Sequence, residues 1–162
     1  MELWVSLVVQ RESDRFPDRR MFMAEQFIRA AEFEERLAAI CLGGARSAFP
    51  RRSRDRHILY RSIIQRLDAA RKYSEAELNE ALQQWLLDIG TCLDIDHVTL
   101  RRYLIDERFL SRDANGNAYQ VNPDGNAAIE FEPSIAAIDP FMVIQAANDR
   151  VAERKRQQAL RA

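Results

Sequence analysis

The pair Asn115-Gly116 constrains the fold of this chain more than any other short feature of its sequence. Asn-Gly between two short apolar runs is the strongest local signal for a β-hairpin, because a two-residue type I′ turn needs positive φ at both central positions. Such runs flank the pair at Phe109–Arg112 and Ala118–Val121. The sequence therefore predicts a two-stranded hairpin with a type I′ turn.

Three helices are predicted before this hairpin. Apolar residues at every fourth position predict the first over Arg54–Leu67. The second begins at Ser74–Glu77, which has the pattern of a capping box, and ends at Gly90. Asp96 is expected to cap the third, His97–Glu107.

Three helices followed by a hairpin is the element order of a winged helix. Only five of the 162 residues are glycine and five are proline, which favours long helices over a turn-rich β-sandwich. We therefore predict a mainly α-helical fold, with a winged-helix-like three-helix core, a small β-hairpin wing, and N- and C-terminal helices. A generic helical bundle with a surface hairpin fits the same pattern.

The predicted winged-helix-like domain, residues 46–121, lies between two extensions. Residues 1–45 are expected to hold a short strand and one helix over Arg20–Leu42, which begins after Asp18 and ends at Gly43-Gly44. This helix is apolar on more than one side, so we expect it to contact a second copy of the chain as well as its own core.

The second extension, residues 122–162, is predicted to be an irregular linker followed by a helix. Asp139-Pro140 is a good helix start, because Asp caps the helix and proline is tolerated at the first helical position. The helix to about Ala152 is a further candidate for dimer contacts. Beyond it the tail is polar on all sides, which fits either a protruding helix end or frayed chain.

The composition is that of a soluble protein without a targeting segment. Apolar residues make up 47% and charged residues 30%, with a net charge of −1. The two cysteines form no CxxC pair, which favours a reducing compartment. The apolar run Leu3–Val9 is too short to span a bilayer. We expect a cytoplasmic protein that contacts no membrane.

The near-neutral total conceals a strongly basic segment. Residues 46–72 contain nine basic and two acidic side chains, a net charge of +7. Such a run forms either a solvated helix face or an anion-binding surface.

If the domain reads DNA, the third helix enters the major groove and arginines contact bases or phosphates. The predicted contacts are Arg51, Arg52, Arg54, Arg56, Thr99, Arg101, Arg102 and Arg112. The alternative is that these arginines pair with neighbouring carboxylates, as the four-residue spacing of Arg102 and Asp106 allows.

No motif points to catalysis or to a bound cofactor. The sequence has no glycine-rich phosphate loop, nucleophile elbow or HExxH. Cys92 and His97 are five positions apart, but Cys41 and His57 have no spacing that resembles a structural zinc site. We expect a non-enzymatic protein, with no catalytic residue, metal or cofactor.

Four pieces of the chain carry a family resemblance: Phe49–Arg52, Tyr73–Glu75, Asp96–Asp106 and Leu110–Arg112. Over about residues 49–119 the chain resembles the bacterial domain of unknown function twenty eighty-seven, an uncharacterised, winged-helix-like family. Its members occur alone or fused behind helix-turn-helix regulators, and no activity is established for them. One position departs from the family pattern, because Arg108 stands where glycine is usual, so the third helix is expected to end differently.

These features lead to one leading functional hypothesis and two alternatives. The first is a transcription-regulator-like homodimer that binds double-stranded DNA. The second is a winged-helix module that binds another protein. The third is a small-molecule sensor or enzyme, which requires a cavity between the terminal helices and the core.

Overall fold

The computed structural model describes residues 27–42, 47–122 and 129–161. Within these ranges the fold is mainly α-helical with a small antiparallel sheet, as predicted. The helices are α1 (Ala30–Cys41), α2 (Ser53–Ile64), α3 (Glu75–Asp88), α4 (His97–Asp106) and α5 (Pro140–Ala159), with a 3₁₀ helix at Pro133–Ala137. The strands are β1 (Phe27–Ile28), β2 (Ser47–Ala48), β3 (Lys72–Tyr73), β4 (Leu93–Asp94), β5 (Leu110–Arg112), β6 (Tyr119–Val121) and β7 (Glu130–Phe131).

Both predicted helix caps in the central segment are present. The Ser74 hydroxyl accepts from the backbone N–H of Glu77 at 3.3 Å, and the Glu77 carboxylate accepts from the backbone N–H of Ser74 at 2.8 Å. The Asp96 carboxylate accepts from the backbone N–H groups of Val98 and Thr99. These side chains satisfy donors that a helix leaves unpaired, which fixes where α3 and α4 begin.

The predicted hairpin is β5–β6, and it belongs to a three-stranded sheet in the order β3-β6-β5. Both pairings are antiparallel, with Tyr73 opposite Tyr119 and Leu110 opposite Val121. The strand β3 was not predicted, because its two residues are too few to show an alternating pattern. It ties the connection between α2 and α3 to the hairpin.

The predicted type I′ turn is wrong. Gly116 has a φ of 75°, but Asn115 is not among the residues with positive φ. The loop is longer than two residues, since Asp113 N–H donates to Ala118 O and Gly116 N–H donates to Asp113 O. The Asp113 carboxylate also accepts from backbone N–H groups of Asn117 and Ala118. This side-chain acceptor stabilises the wider turn.

The helix predicted over Arg20–Leu42 is wrong at residues 27–29. Phe27–Ile28 is a strand that pairs in parallel with β7, and α1 begins only at Ala30. The Glu132 carboxylate accepts from Ala30 N–H at 3.0 Å, so the cap comes from 102 positions away. The helical periodicity of a sequence gives no information about a capping partner so far along the chain. The predictions for residues 1–26 and for Gly43-Gly44 lie outside the described residues.

The described ends of the chain share one core with the central segment. Phe33 and Leu37 of α1 are fully buried, and α1 packs against both α2 and α5. In α5 the residues Ile144 and Ala147 are buried. The apolar side of α1 thus packs within its own chain, and the predicted contact with a second copy remains a prediction.

The helix α4 ends through a left-handed residue although glycine is missing there. Arg108 has a φ of 64°, its N–H donates to Ile105 O, and Phe109 N–H donates to Leu104 O at 2.8 Å. These two bonds form a Schellman motif. The expectation that Arg108 changes the helix end is therefore wrong, because the chain accepts the strain of a non-glycine residue at this position.

The C-terminal helix starts as predicted and continues beyond the core. The Asp139 carboxylate accepts from Phe141 N–H at 2.9 Å, with Pro140 at the first helical position. Of the two possibilities for the tail, the structure shows the protruding helix end, because α5 extends to Ala159.

Candidate functional site

The helix α4 has one face in the core and one in solvent. Leu100 and Leu104 are fully buried, whereas Arg102 and Asp106 are exposed and Thr99 is half-buried. The Thr99 hydroxyl donates to the Asp96 carboxylate at 2.8 Å and so reinforces the helix cap.

Arg102 makes no hydrogen bond or ion pair with any described side chain. In particular, the Arg102–Asp106 ion pair that the four-residue spacing allows is not formed. The Arg102 side chain is exposed on the outward face of α4, and its N–H groups can donate to an external anion.

Arg101, the preceding residue, has the opposite role. It is 9% exposed, and its Nη1 lies 3.1 Å from the Glu75 carboxylate and 2.5 Å from the Asn79 side-chain oxygen. Its guanidinium also lies 5.5 Å from the centre of the Tyr119 ring. Arg101 therefore joins α4 to α3 and to the hairpin.

Aromatic contacts hold the segment before α2 beside α4. The Phe49 ring lies 5.9 Å from that of Tyr60 and 5.5 Å from that of Tyr103, centre to centre. Arg51 and Arg52 follow directly, and both are exposed. Neither side chain has a hydrogen-bond or ion-pair partner within the described ranges. Together with Arg102, they form what we call the outer arginine group.

Arg54 connects α2 to α1. Its Nε and Nη2 lie 2.5 and 2.6 Å from the two carboxylate oxygens of Glu32, and Nη2 also donates to Phe27 O at 2.8 Å. The hydrogen bond from Arg54 lowers the pKa of Glu32. This bidentate pair secures the N-terminal helix on the central segment.

Arg56 and the buried His57 both contact Glu107, at the C-terminal end of α4. Arg56 Nη2 and His57 Nε2 lie 3.2 and 3.3 Å from the two carboxylate oxygens. Burial lowers the pKa of His57. Burial raises the pKa of Glu107, but hydrogen bonds from His57 and Arg56 leave it below its usual value. The cluster fixes the end of α4 against the start of α2.

Arg112 is confined to the hairpin. Its Nε and Nη2 donate to Gly116 O at 3.1 and 3.0 Å, and its guanidinium lies 5.4 Å from the centre of the Tyr119 ring. Of the eight predicted contacts, Arg51, Arg52 and Arg102 are exposed, and their side chains have no hydrogen-bond or ion-pair partner among the described residues. The structure uses Arg54, Arg56, Arg101 and Arg112 in internal contacts.

Two notable side chains were missed by the sequence analysis. Tyr103 is 39% exposed beside the outer arginine group, and its place next to Arg102 on the outward face could have indicated it. Arg61 has a buried Nε without a partner and lies 5.4 Å from the centre of the Phe131 ring. Burial lowers the pKa of Arg61. No local pattern marks this contact, because Phe131 lies 70 positions further along the chain.

The thiols are poor nucleophiles and no metal cluster is found in the described part of the chain. Burial raises the pKa of Cys41 to about 12 and also raises that of Cys92. No three described His, Cys, Asp or Glu side chains are close enough to share a metal ion. Likewise, none of the described helices has the length and apolar character needed to cross a bilayer.

An open pocket lies between α2 and the start of α5, where the sensor hypothesis requires a cavity. It has a volume of about 450 Å³ and is lined by Gln65, Arg66 and residues 136–140. Gln65 donates to Ile135 O and Ile138 O, so it also holds the 3₁₀ helix against α2.

The span from β2 to β6, which contains the outer arginine group, corresponds to a known family. Residues 47–121 match the bacterial family "Uncharacterized protein conserved in bacteria (DUF2087)". This match confirms the resemblance seen in the sequence. No curated protein and no solved structure matches the chain. The description of DUF2087 assigns no activity, so function has to be argued from the side chains.

Proposed function

We propose that this chain binds double-stranded DNA without catalysis, as a transcription-regulator-like protein, through the outer arginine group. The observation that carries the proposal is that Arg102, exposed on the outward face of α4, forms no ion pair with any described residue, although Asp106 is within reach along the helix. The order α2, α3, α4, hairpin supports it, because in such domains the third helix is the one that enters the major groove.

The start of α2 adds to this basic surface. Arg52 is its N-cap residue and makes no side-chain capping bond, so the helix start lacks a capping acceptor from its own N-cap. A helix N-terminus carries a partial positive charge that favours phosphate. Arg51 and Arg52 directly precede this helix start and suit a phosphate, while Arg102 suits a base edge or a second phosphate.

The structure narrows the set of proposed contacts. Arg54, Arg56, Arg101 and Arg112 are held by carboxylates or carbonyls of the same chain. Recruiting any of them to DNA would break an internal contact, so we leave them out. The proposed site is therefore Arg51, Arg52 and Arg102, with Tyr103 and Thr99 at its edge. Binding as a homodimer, with one such surface for each half-site, remains part of the proposal.

The test is the affinity for duplex DNA of the parent protein, of Arg102→Ala and of Lys72→Ala, each measured by titration. Lys72 is an exposed cation on β3, so its removal changes the net charge equally and serves as the control. We expect Arg102→Ala to weaken binding about tenfold or more, as for a base or phosphate contact, while Lys72→Ala stays near the parent protein. Equal affinities of both variants would exclude Arg102 from the site.

The salt dependence identifies the kind of contact. Each phosphate that is neutralised contributes about 0.9 to the slope of log affinity against log salt. We therefore expect Arg51→Ala/Arg52→Ala to lower that slope by about 1.8 if each arginine contacts one phosphate. A slope that stays at the parent value would contradict phosphate binding at the start of α2.

The exposed Tyr103 favours a second candidate function. Tyrosine and arginine dominate the energetics of protein–protein interfaces, and here Tyr103 contacts Phe49 and follows Arg102 directly in the sequence. A protein partner held by this surface should stay bound at high salt and be lost with Tyr103→Ala. Duplex DNA should instead be released as the salt concentration rises.

A further inference from the structure

Arg56, in the first turns of α2, contacts both chain segments that carry the outer arginine group. Its Nη1 donates to the backbone oxygen of Arg51 at 2.7 Å. Its Nη2 lies 3.2 Å from the carboxylate of Glu107, the C-cap residue of α4. The guanidinium group thus links the segment of Arg51 and Arg52 to the end of the helix that carries Arg102.

An aromatic contact ties the same two segments together at a second point. The Phe49 ring lies 5.5 Å from that of Tyr103 on α4, centre to centre. Phe49 stands two positions before Arg51, and Tyr103 stands four positions before Glu107. Two points of contact fix the direction of the segment as well as its distance from α4, and removing the Arg56 contact leaves the direction less constrained.

The chemistry of arginine suits this double contact. Its planar guanidinium group carries N–H donors that point in different directions, so one side chain can donate to two acceptors at once. The Arg56 side chain is accordingly only 26% exposed. Arg51 contributes its backbone oxygen to the link and keeps its own side chain exposed. The bond therefore acts on the position of Arg51 and leaves its guanidinium group available to a phosphate.

We propose that Arg56 is a positioning residue of the DNA-binding site, which sets the spacing between the phosphate contacts before α2 and the DNA contact of Arg102. This inference rests on the proposed function, since it concerns the same site. Phosphate contacts fix the register of a protein on a duplex. Arg56 thus controls how α4 is placed on DNA without contacting DNA itself.

The first test is Arg56→Lys, which leaves the net charge unchanged. A lysine ammonium is one compact group on a flexible stem and does not reproduce the two-armed contact. We expect the affinity for a 30-base-pair duplex to fall about fivefold or more, because the phosphate contacts lose their fixed position. The slope of log affinity against log salt should also decrease, although no charge is removed. Parent affinity and parent slope in Arg56→Lys would overturn the inference.

A double-mutant cycle separates positioning from a general loss of stability. Arg51→Ala removes a guanidinium group but keeps the backbone oxygen that Arg56 holds. If Arg56 acts through this segment, adding Arg51→Ala/Arg52→Ala to Arg56→Lys should cost little further affinity. Fully additive losses would overturn the inference, because Arg56 would then act independently of the segment it holds.

Glu107→Ala breaks the same link from its other end, and Asp106→Ala is the matched control. Both variants remove one negative charge at the end of α4, so charge alone predicts tighter binding of DNA in both. Asp106 is exposed and forms no ion pair with a described residue. We expect Asp106→Ala to bind at least as tightly as the parent and Glu107→Ala to bind less tightly.

Titrations of these two variants are run at a temperature at which circular dichroism shows both to be folded. Binding by Glu107→Ala that equals or exceeds that of Asp106→Ala would overturn the inference, because charge and not position would then decide the affinity.

The outcomes distinguish this inference from the proposed function. If Arg102→Ala weakens binding while Arg56→Lys matches the parent and Glu107→Ala matches its control, the inference fails and the proposed function stands. If Arg102→Ala binds the duplex as the parent does, the proposed site fails, and the inference fails with it.

Discussion

Arg101 and Arg102 are adjacent in sequence and lie in opposite environments. Arg101 is 9% exposed and held by Glu75, Asn79 and the Tyr119 ring. Arg102 is exposed and has no partner among the described residues. The same contrast divides the described arginines of the basic segment into those that hold the helices together and those that face solvent. A basic run in a sequence therefore does not mark a binding surface until each guanidinium is assigned a partner.

The largest effect on stability is expected from Arg101. Arg101→Ala removes a buried cation and leaves the Asn79 oxygen without its donor, which should lower the free energy of unfolding by about 2 kcal/mol or more. Arg102→Ala should change it by less than about 0.5 kcal/mol. Urea denaturation of both variants measures the difference, and similar losses would show that the two environments do not differ as described.

Arg108 and Gly116 both have positive φ near the hairpin. Substituting them should change the stability by smaller amounts, in opposite directions. Arg108→Gly should stabilise the protein by about 1 kcal/mol, because glycine adopts a positive φ without strain. Gly116→Ala should destabilise it, since a Cβ there would lie 2.7 Å from Arg112 Nη2 and the φ is 75°. Thermal unfolding of both variants decides this, and a loss of stability in Arg108→Gly would contradict a strained end of α4.

The smallest of these effects is expected from pH, through the cluster at Glu107. Because burial lowers the pKa of His57, the unfolded chain binds the proton more readily, and stability should fall as the pH drops below about 6.5. The lowered pKa of Glu107 acts in the same direction at lower pH, since stability is lost as this carboxylate becomes protonated.

The other histidine provides the control for this pH dependence. His57→Asn should flatten the decline between about pH 7 and pH 5, whereas His97→Asn, at the start of α4, should retain it. The measurement is the denaturation midpoint across that range. An unchanged decline in His57→Asn would assign the pH dependence to other groups.

Local signals predicted the three central helices and the two hairpin strands correctly, but neither the turn between those strands nor the start of α1. Ser74 and Asp96 cap helices through bonds that span two or three residues, so their sequence patterns contain all that is needed. The start of α1 could not be predicted in this way, because its capping carboxylate, Glu132, is 102 positions distant. The strands β1 to β4 were missed for a related reason, since pairs such as β1–β7 join distant parts of the chain.

The candidate site was only partly predicted, because the partners of several of its arginines lie far along the chain. The helical period placed Arg102 on the outward face of α4, which the structure agrees with. Which arginines are occupied could not be inferred, since Arg54 and Arg56 find their carboxylates 22 and 51 positions away. A tertiary contact and not a local pattern separates a structural arginine from one that is available to a ligand.

We propose that DNA lies against the outer arginine group and not against α3, on which Glu75, Glu77 and Glu80 are exposed. This proposal is tested most directly by titrating duplex DNA into isotope-labelled protein and mapping the perturbed backbone resonances. We expect the largest shifts at Arg51, Arg52 and residues 99–106, with α3 largely unchanged. Shifts confined to α3, or none at saturating duplex and low salt, would contradict it.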